Sequence, residues 1–123
     1  MYLQERERGI EMGARVVFNI KQEEDNYICL YSHWGEMTAL EDAGRAIAKA
    51  RPRWGDDSYC ARIIVSQLIG NDWDSETGFG LWVSAEPCTD EAWVLIDLQE
   101  QTVTAVDGTH SFEGFIDYHS VAV

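Results

Sequence analysis

The spacing of apolar positions changes several times along the chain, and each change marks an element. Residues 14–21 (Ala-Arg-Val-Val-Phe-Asn-Ile-Lys) and 27–31 (Tyr-Ile-Cys-Leu-Tyr) are runs of β-branched and aromatic residues around the polar stretch 22–26, which predicts a hairpin. In the second run Ile28 and Leu30 point one way and Tyr27, Cys29 and Tyr31 the other, so both faces of that strand are covered at least in part. From residue 36 the period lengthens: Met37, Leu40, Ala43, Ile47 and Ala50 share one helical face, Arg45, Lys49 and Arg53 another, and Pro52 closes the helix. Its alanines and Gly44 let it approach a neighbour closely.

Residues 54–70 read as a second, more deeply buried helix, around which the other elements are arranged. Tyr59, Cys60, Ile63, Ile64, Leu68 and Ile69 cover most of its circumference, Asp56 or Asp57 is placed to cap its start, and Gly70 to end it. Residues 71–78 form an acidic loop, and 79–84 a strand with Gly80 at a bulge. A turn over 86–91 leads to strands 92–98 and 102–106, which form a second hairpin through 99–101. Ser111 is placed to cap a short helix over 112–118 with Phe112, Phe115 and Ile116 inward, a sixth strand being the competing reading there. The order ββααβββ followed by a short α predicts an α+β domain: a mostly antiparallel sheet of about five strands with two helices packed on one face. Residues 1–12 alternate charges without apolar periodicity and read as a flexible leader, leaving 13–123 as a single domain.

Charge changes the picture more than composition does. The formal net charge is -13, and all nine basic residues lie in the first 62 positions. Beyond Arg62 the chain carries Asp72, Asp74, Glu76, Glu86, Asp90, Glu91, Asp97, Glu100, Asp107, Glu113 and Asp117 and no Lys or Arg. Such a half repels nucleic acid and attracts cationic surfaces, with screening beyond about 10 Å at ordinary salt. Direct nucleic-acid binding is therefore not expected. No apolar run approaches the roughly 20 residues needed to span a bilayer, so no membrane partner is expected. Cys29, Cys60 and Cys88 are odd in number and far apart, which fits a reducing cytoplasm.

Candidate chemistry is sparse. Asp72, Asp74 and Glu76 resemble the opening of a calcium loop, but Thr77 and Val83 occupy the positions where glycine and a bidentate acid are required. The cysteines and His33, His110 and His119 show no metal-ligand spacing, so neither a metal nor a cofactor is expected. No nucleophile elbow, phosphate loop or dinucleotide fingerprint is present, and the chain is expected not to be an enzyme. Trp73, set among Asp72, Asp74 and Glu76, has the character of a protein-binding hot spot facing a basic partner, with Glu86, Asp90 and Glu91 extending the acidic surface. The alternative is a small-anion pocket built from His33, Trp34, Arg51, Arg53, Trp54 and Arg62, for instance for a nucleotide signal.

Three motifs carry a resemblance: Tyr31-Ser32-His33-Trp34-Gly35, then Arg53-Trp54-x-Asp56-Asp57-x-Tyr59-x-x-Arg62, then Thr77-Gly78-Phe79-Gly80. Together they are similar to a family of small uncharacterised proteins encoded in tailed-phage and prophage genomes, over about residues 13–107. The chain departs from that pattern at Glu36, where a further glycine is expected after Gly35. The resemblance implies an accessory protein made in the cytoplasm of a bacterial host, and no shared activity comes with it. Combined with the charge, the expectation is a non-enzymatic inhibitor of a basic host or defence protein, of the anti-CRISPR or antirestriction type.

Overall fold

The computed structural model describes residues 15–119, so the expected leader over 1–12 lies outside the described residues. The fold is α+β, with one mixed six-stranded sheet in the order β3-β2-β1-β4-β5-β6. β1 (Val16–Glu23) and β2 (Asn26–Ser32) form the first hairpin, with Phe18 opposite Leu30 and Ile20 opposite Ile28. Its tight turn places Asp25 at a φ of 60°. The bulge of the sheet lies here, between Lys21 and Glu23, and not at Gly80, where β3 (Phe79–Ser84) pairs with β2 in unbroken register.

β4 (Ala92–Asp97) lies parallel to β1 on its other side, with Phe18 opposite Val94 and Ile20 opposite Ile96. Every residue from Val16 to Ile20 is buried, as a central strand requires. β5 (Thr102–Ala105) and β6 (Gly108–Ser111) complete the sheet by antiparallel pairing. β6 is thus the sixth strand, formed in addition to the terminal helix that competed with it in the sequence.

Three helices cover one face: α1 (Ala39–Lys49), α2 (Asp57–Ile69) and α3 (Phe112–His119). Phe18, Ile20, Leu30, Val94, Ile96 and Val103 from the sheet meet Ala43, Ile47, Cys60, Ile64, Phe112 and Phe115 from the helices in one core. Each fully buried large side chain there contributes about 1.5–3 kcal/mol. Single 3-10 turns precede α1 (Glu36–Thr38) and link α1 to α2 (Arg51–Arg53).

α2 is shorter and less enclosed than its sequence predicts. Asp56 stands at its N-cap without a side-chain cap bond, Tyr59 is 53% exposed, and Gly70 ends it at a φ of 64°. Trp54 stays outside the helix because its ring is used elsewhere. The indole Nε1 donates to the Ile47 carbonyl at 2.9 Å, and the ring meets Phe112 edge-on at 5.0 Å. Ser111 caps α3 as expected, its Oγ accepting from the Gly114 N–H at 3.0 Å.

The opposite face is crossed by the loop over 85–91, because β3 and β4 lie on either side of the β1–β2 hairpin. Asn19, fully buried in β1, holds that loop. Its Nδ2 donates to the Cys88 carbonyl at 3.0 Å and its Oδ1 accepts from the Cys88 N–H at 2.7 Å. Asn19 Oδ1 also accepts from the Cys29 thiol at 3.4 Å. Both polar groups of a backbone unit that covers the sheet are thereby satisfied by one side chain.

Candidate functional site

β3 is the outer strand on the β2 side, and it is apolar on both faces. Alternation turns Leu81 and Val83 to one face and Trp82 to the other, and all three remain exposed, at 54%, 70% and 39%. The pairing with β2 uses only one side of the strand, so the backbone groups of its other side have no partner strand among the described residues.

The chain enters β3 through the acidic loop and leaves it through the crossing loop. On the entry side Trp73 is 55% exposed among Asp72, Asp74 and Glu76, and the Ser75 N–H donates to the Asp72 carbonyl at 3.1 Å. A cleft of about 140 Å³ runs beneath the edge, lined by Leu30, Ile69, Trp73, Phe79 and Leu81. On the exit side Glu86 and Asp90 are exposed, and the Glu86 N–H donates to Ser84 Oγ at 3.2 Å.

The acids of the C-terminal half are not equivalent. Four have a cationic or histidine partner: Glu91 with Arg15 at 4.0 Å, Asp97 with Lys21 at 3.8 Å, Asp107 with His119 at 2.7 Å, and Glu113 with Arg51. Lys21 also contacts Glu24, a hydrogen bond that raises the pKa of its ammonium. Asp72, Asp74, Glu76, Glu86, Asp90, Glu100 and Asp117 have no such partner among the described residues. The first five flank β3, whereas Glu100 follows β4 and Asp117 lies on α3. Glu91, grouped with the first five in the sequence, is the half-buried and partnered exception.

The six residues expected to make a small-anion pocket do not meet. His33 and Trp34 follow β2 at the end of the sheet where β1 begins, and the His33 N–H donates to the Gly78 carbonyl at 2.8 Å. There the Tyr31 hydroxyl lies 2.7 Å from His33 Nδ1, and burial pushes the Tyr31 phenol up in pKa. A Cβ on Gly35 would come within 2.5 Å of Ser32 Oγ, which explains the glycine at this corner. Arg51, Arg53 and Trp54 lie past the far end of α1, a helix of eleven residues and so about 16 Å long. Arg51 packs over Trp54 at 4.8 Å, Arg53 packs over Tyr59 at 4.9 Å, and Arg62 is exposed on α2.

A cluster that sequence reasoning missed lies at the opposite edge. Asp107 in the β5–β6 turn, His110 in β6 and His119 at the end of α3 bring one ligand-type atom each to within 4.8 Å of one another. Asp107 Oδ2 is 2.7 Å from His119 Nε2 and 3.4 Å from His110 Nε2. Partial burial works to raise the Asp107 pKa, but the hydrogen bond from His119 and the nearby imidazoles outweigh it and lower the value. Its signal in the sequence is the Asp-x-x-His spacing across a tight turn, legible only once 108–111 is taken as a strand.

Compared with protein-family models, curated proteins and solved structures, the chain finds no match. Among the described residues no helix is long and apolar enough to cross a membrane.

Proposed function

We propose that this chain is a non-enzymatic binding protein that accepts an extended, basic segment of a partner protein along the free edge of β3. The observation that carries this reading is the coincidence of an exposed apolar edge with five carboxylates at its two ends that have no cationic partner among the described residues. Strand addition supplies main-chain hydrogen bonds, while alternate side chains supply specificity through Leu81, Val83 and Trp82. The flanking acids steer a cationic segment and fix its register. Taken with the resemblance to tailed-phage proteins, the partner is a host or defence protein whose basic surface otherwise handles nucleic acid, and occupation of that surface inhibits it. The anionic-ligand alternative loses ground because His33 and Trp34 lie at one end of α1 and Arg51, Arg53 and Trp54 at the other.

The test uses two labelled peptides of alternating valine with lysine or with glutamate, followed by fluorescence anisotropy. The lysine peptide is expected to bind at low salt, to weaken steeply with added NaCl, and to lose at least tenfold in affinity against a Leu81→Lys/Val83→Lys chain. The melting temperature of that chain is expected to stay within a few degrees, since both side chains are exposed. Equal binding of the two peptides, or none of the lysine peptide at low salt, refutes the proposal.

A further inference from the structure

We infer that Asp107, His110 and His119 form a site for a zinc-class divalent cation, one that clips the end of α3 to the β5–β6 turn. The decisive feature is His110 Nε2, which is buried yet has no hydrogen-bond partner among the described residues. It lies at 3.4 Å from a carboxylate oxygen whose other neighbour, at 2.7 Å, is the second imidazole nitrogen. A buried imidazole nitrogen left unpaired costs free energy, and a metal ion satisfies it together with both neighbours.

The spacing suits such an ion. In a tetrahedral zinc site with metal–ligand distances near 2.0–2.1 Å, adjacent ligand atoms stand about 3.3 Å apart. The two separations from Asp107 Oδ2, 2.7 and 3.4 Å, bracket that value, and all three donors lie within 4.8 Å of one another, so entry of the ion requires the two imidazoles to close by at most about 1.5 Å. Two imidazoles and one carboxylate form a borderline donor set, which selects zinc, cobalt or nickel over calcium and magnesium. Three protein ligands leave the remaining position to water.

The side chains are held in place from outside the cluster. Tyr118 stacks on His110 at 5.8 Å with 25° between the rings, and Phe115 packs against His119 at 4.6 Å. Gly108, at a φ of 108°, and the Thr104–Thr109 hydroxyl contact at 2.8 Å fix the turn that carries Asp107. Rings and turn together orient the donors before a metal arrives. The site lies on β6 and α3, so its success or failure is independent of the strand-addition reading at β3.

The experiment is a calorimetric titration of the full chain with zinc chloride after dialysis against chelator, with magnesium and calcium in parallel. One zinc ion per chain is expected, with at least tenfold weaker binding for His110→Gln and for His119→Gln, and no uptake of magnesium or calcium. Zinc at about a hundredfold excess over its dissociation constant raises the melting temperature by roughly 5–10 °C. Absence of saturable zinc binding, or binding unchanged in the His110→Gln/His119→Gln double variant, overturns the assignment. If either variant fails to fold, crystals of the unaltered chain grown with zinc decide the matter. An anomalous peak between the three residues supports the site, and a peak elsewhere or none rejects it.

Discussion

The two outer strands of the sheet are opposites. β6 is four residues long and polar, and the chain turns from it directly into α3, which packs against it. β3 is six residues long, shows apolar side chains on both faces, and has none of the usual guards of an edge: no lysine, no proline and no bulge. What protects it stands at its ends. Two copies of this edge would bring like-charged loops together, whereas a basic strand would be drawn in. The comparison teaches that an edge can be kept from self-pairing by charge placed beyond the strand while still admitting a partner of opposite sign.

The most damaging way to break this contrast is to release the loop that leaves β3. Asn19→Ala strands the Cys88 N–H and carbonyl beneath that loop and is expected to cost about 2–4 kcal/mol, read as a fall in melting temperature of roughly 8–15 °C. Amide exchange should rise first in β3 and later in β6. A smaller effect acts on the core between the edges and spares neither. Burial, with the charges of Asp57 and Asp56 adding to it, pushes the Cys60 thiol up to about 11 from an ordinary 9.0. Its contribution is fully present below pH 9 and is lost as pH rises through 11. Cys60→Ala should therefore remove about 1–2 kcal/mol of the alkaline decline in chemical denaturation.

Salt sharpens the contrast more gently. At 1 M NaCl, where screening sets in at about 3 Å, the chain should begin to self-associate through β3 in sedimentation velocity, and Leu81→Lys/Val83→Lys should abolish this. The smallest effect belongs to the β6 side. Glu113→Gln removes the exposed pair with Arg51 and is expected to change stability by less than about 1 kcal/mol in urea unfolding.

The elements were largely legible in the sequence because their apolar periods are local. β3 was read to the residue, and α1 and α3 to within a few positions. What was not legible was pairing. Nothing in the spacing of Val16 to Ile20 announces that β1 has β4 as a parallel neighbour, since a strand buried on both faces gives a continuous apolar run whatever its partner. Trp54 misled for a related reason: its indole satisfies a carbonyl at the end of α1, a contact that no helical period encodes. For the candidate sites, Trp73 and the acids of its loop were found because they are consecutive. The three residues of the His/Asp cluster come from a turn, a strand and a helix end, and only the fold joins them.

The β1–β4 pairing has a kinetic consequence. Both hairpins close over short stretches of chain and can form within microseconds, but the seam between them joins residues more than seventy positions apart. Refolding should be limited by the search for that seam, so the indole of Trp93, which sits in it, would report the slow step by fluorescence in stopped-flow mixing, while early helix signal by circular dichroism precedes it.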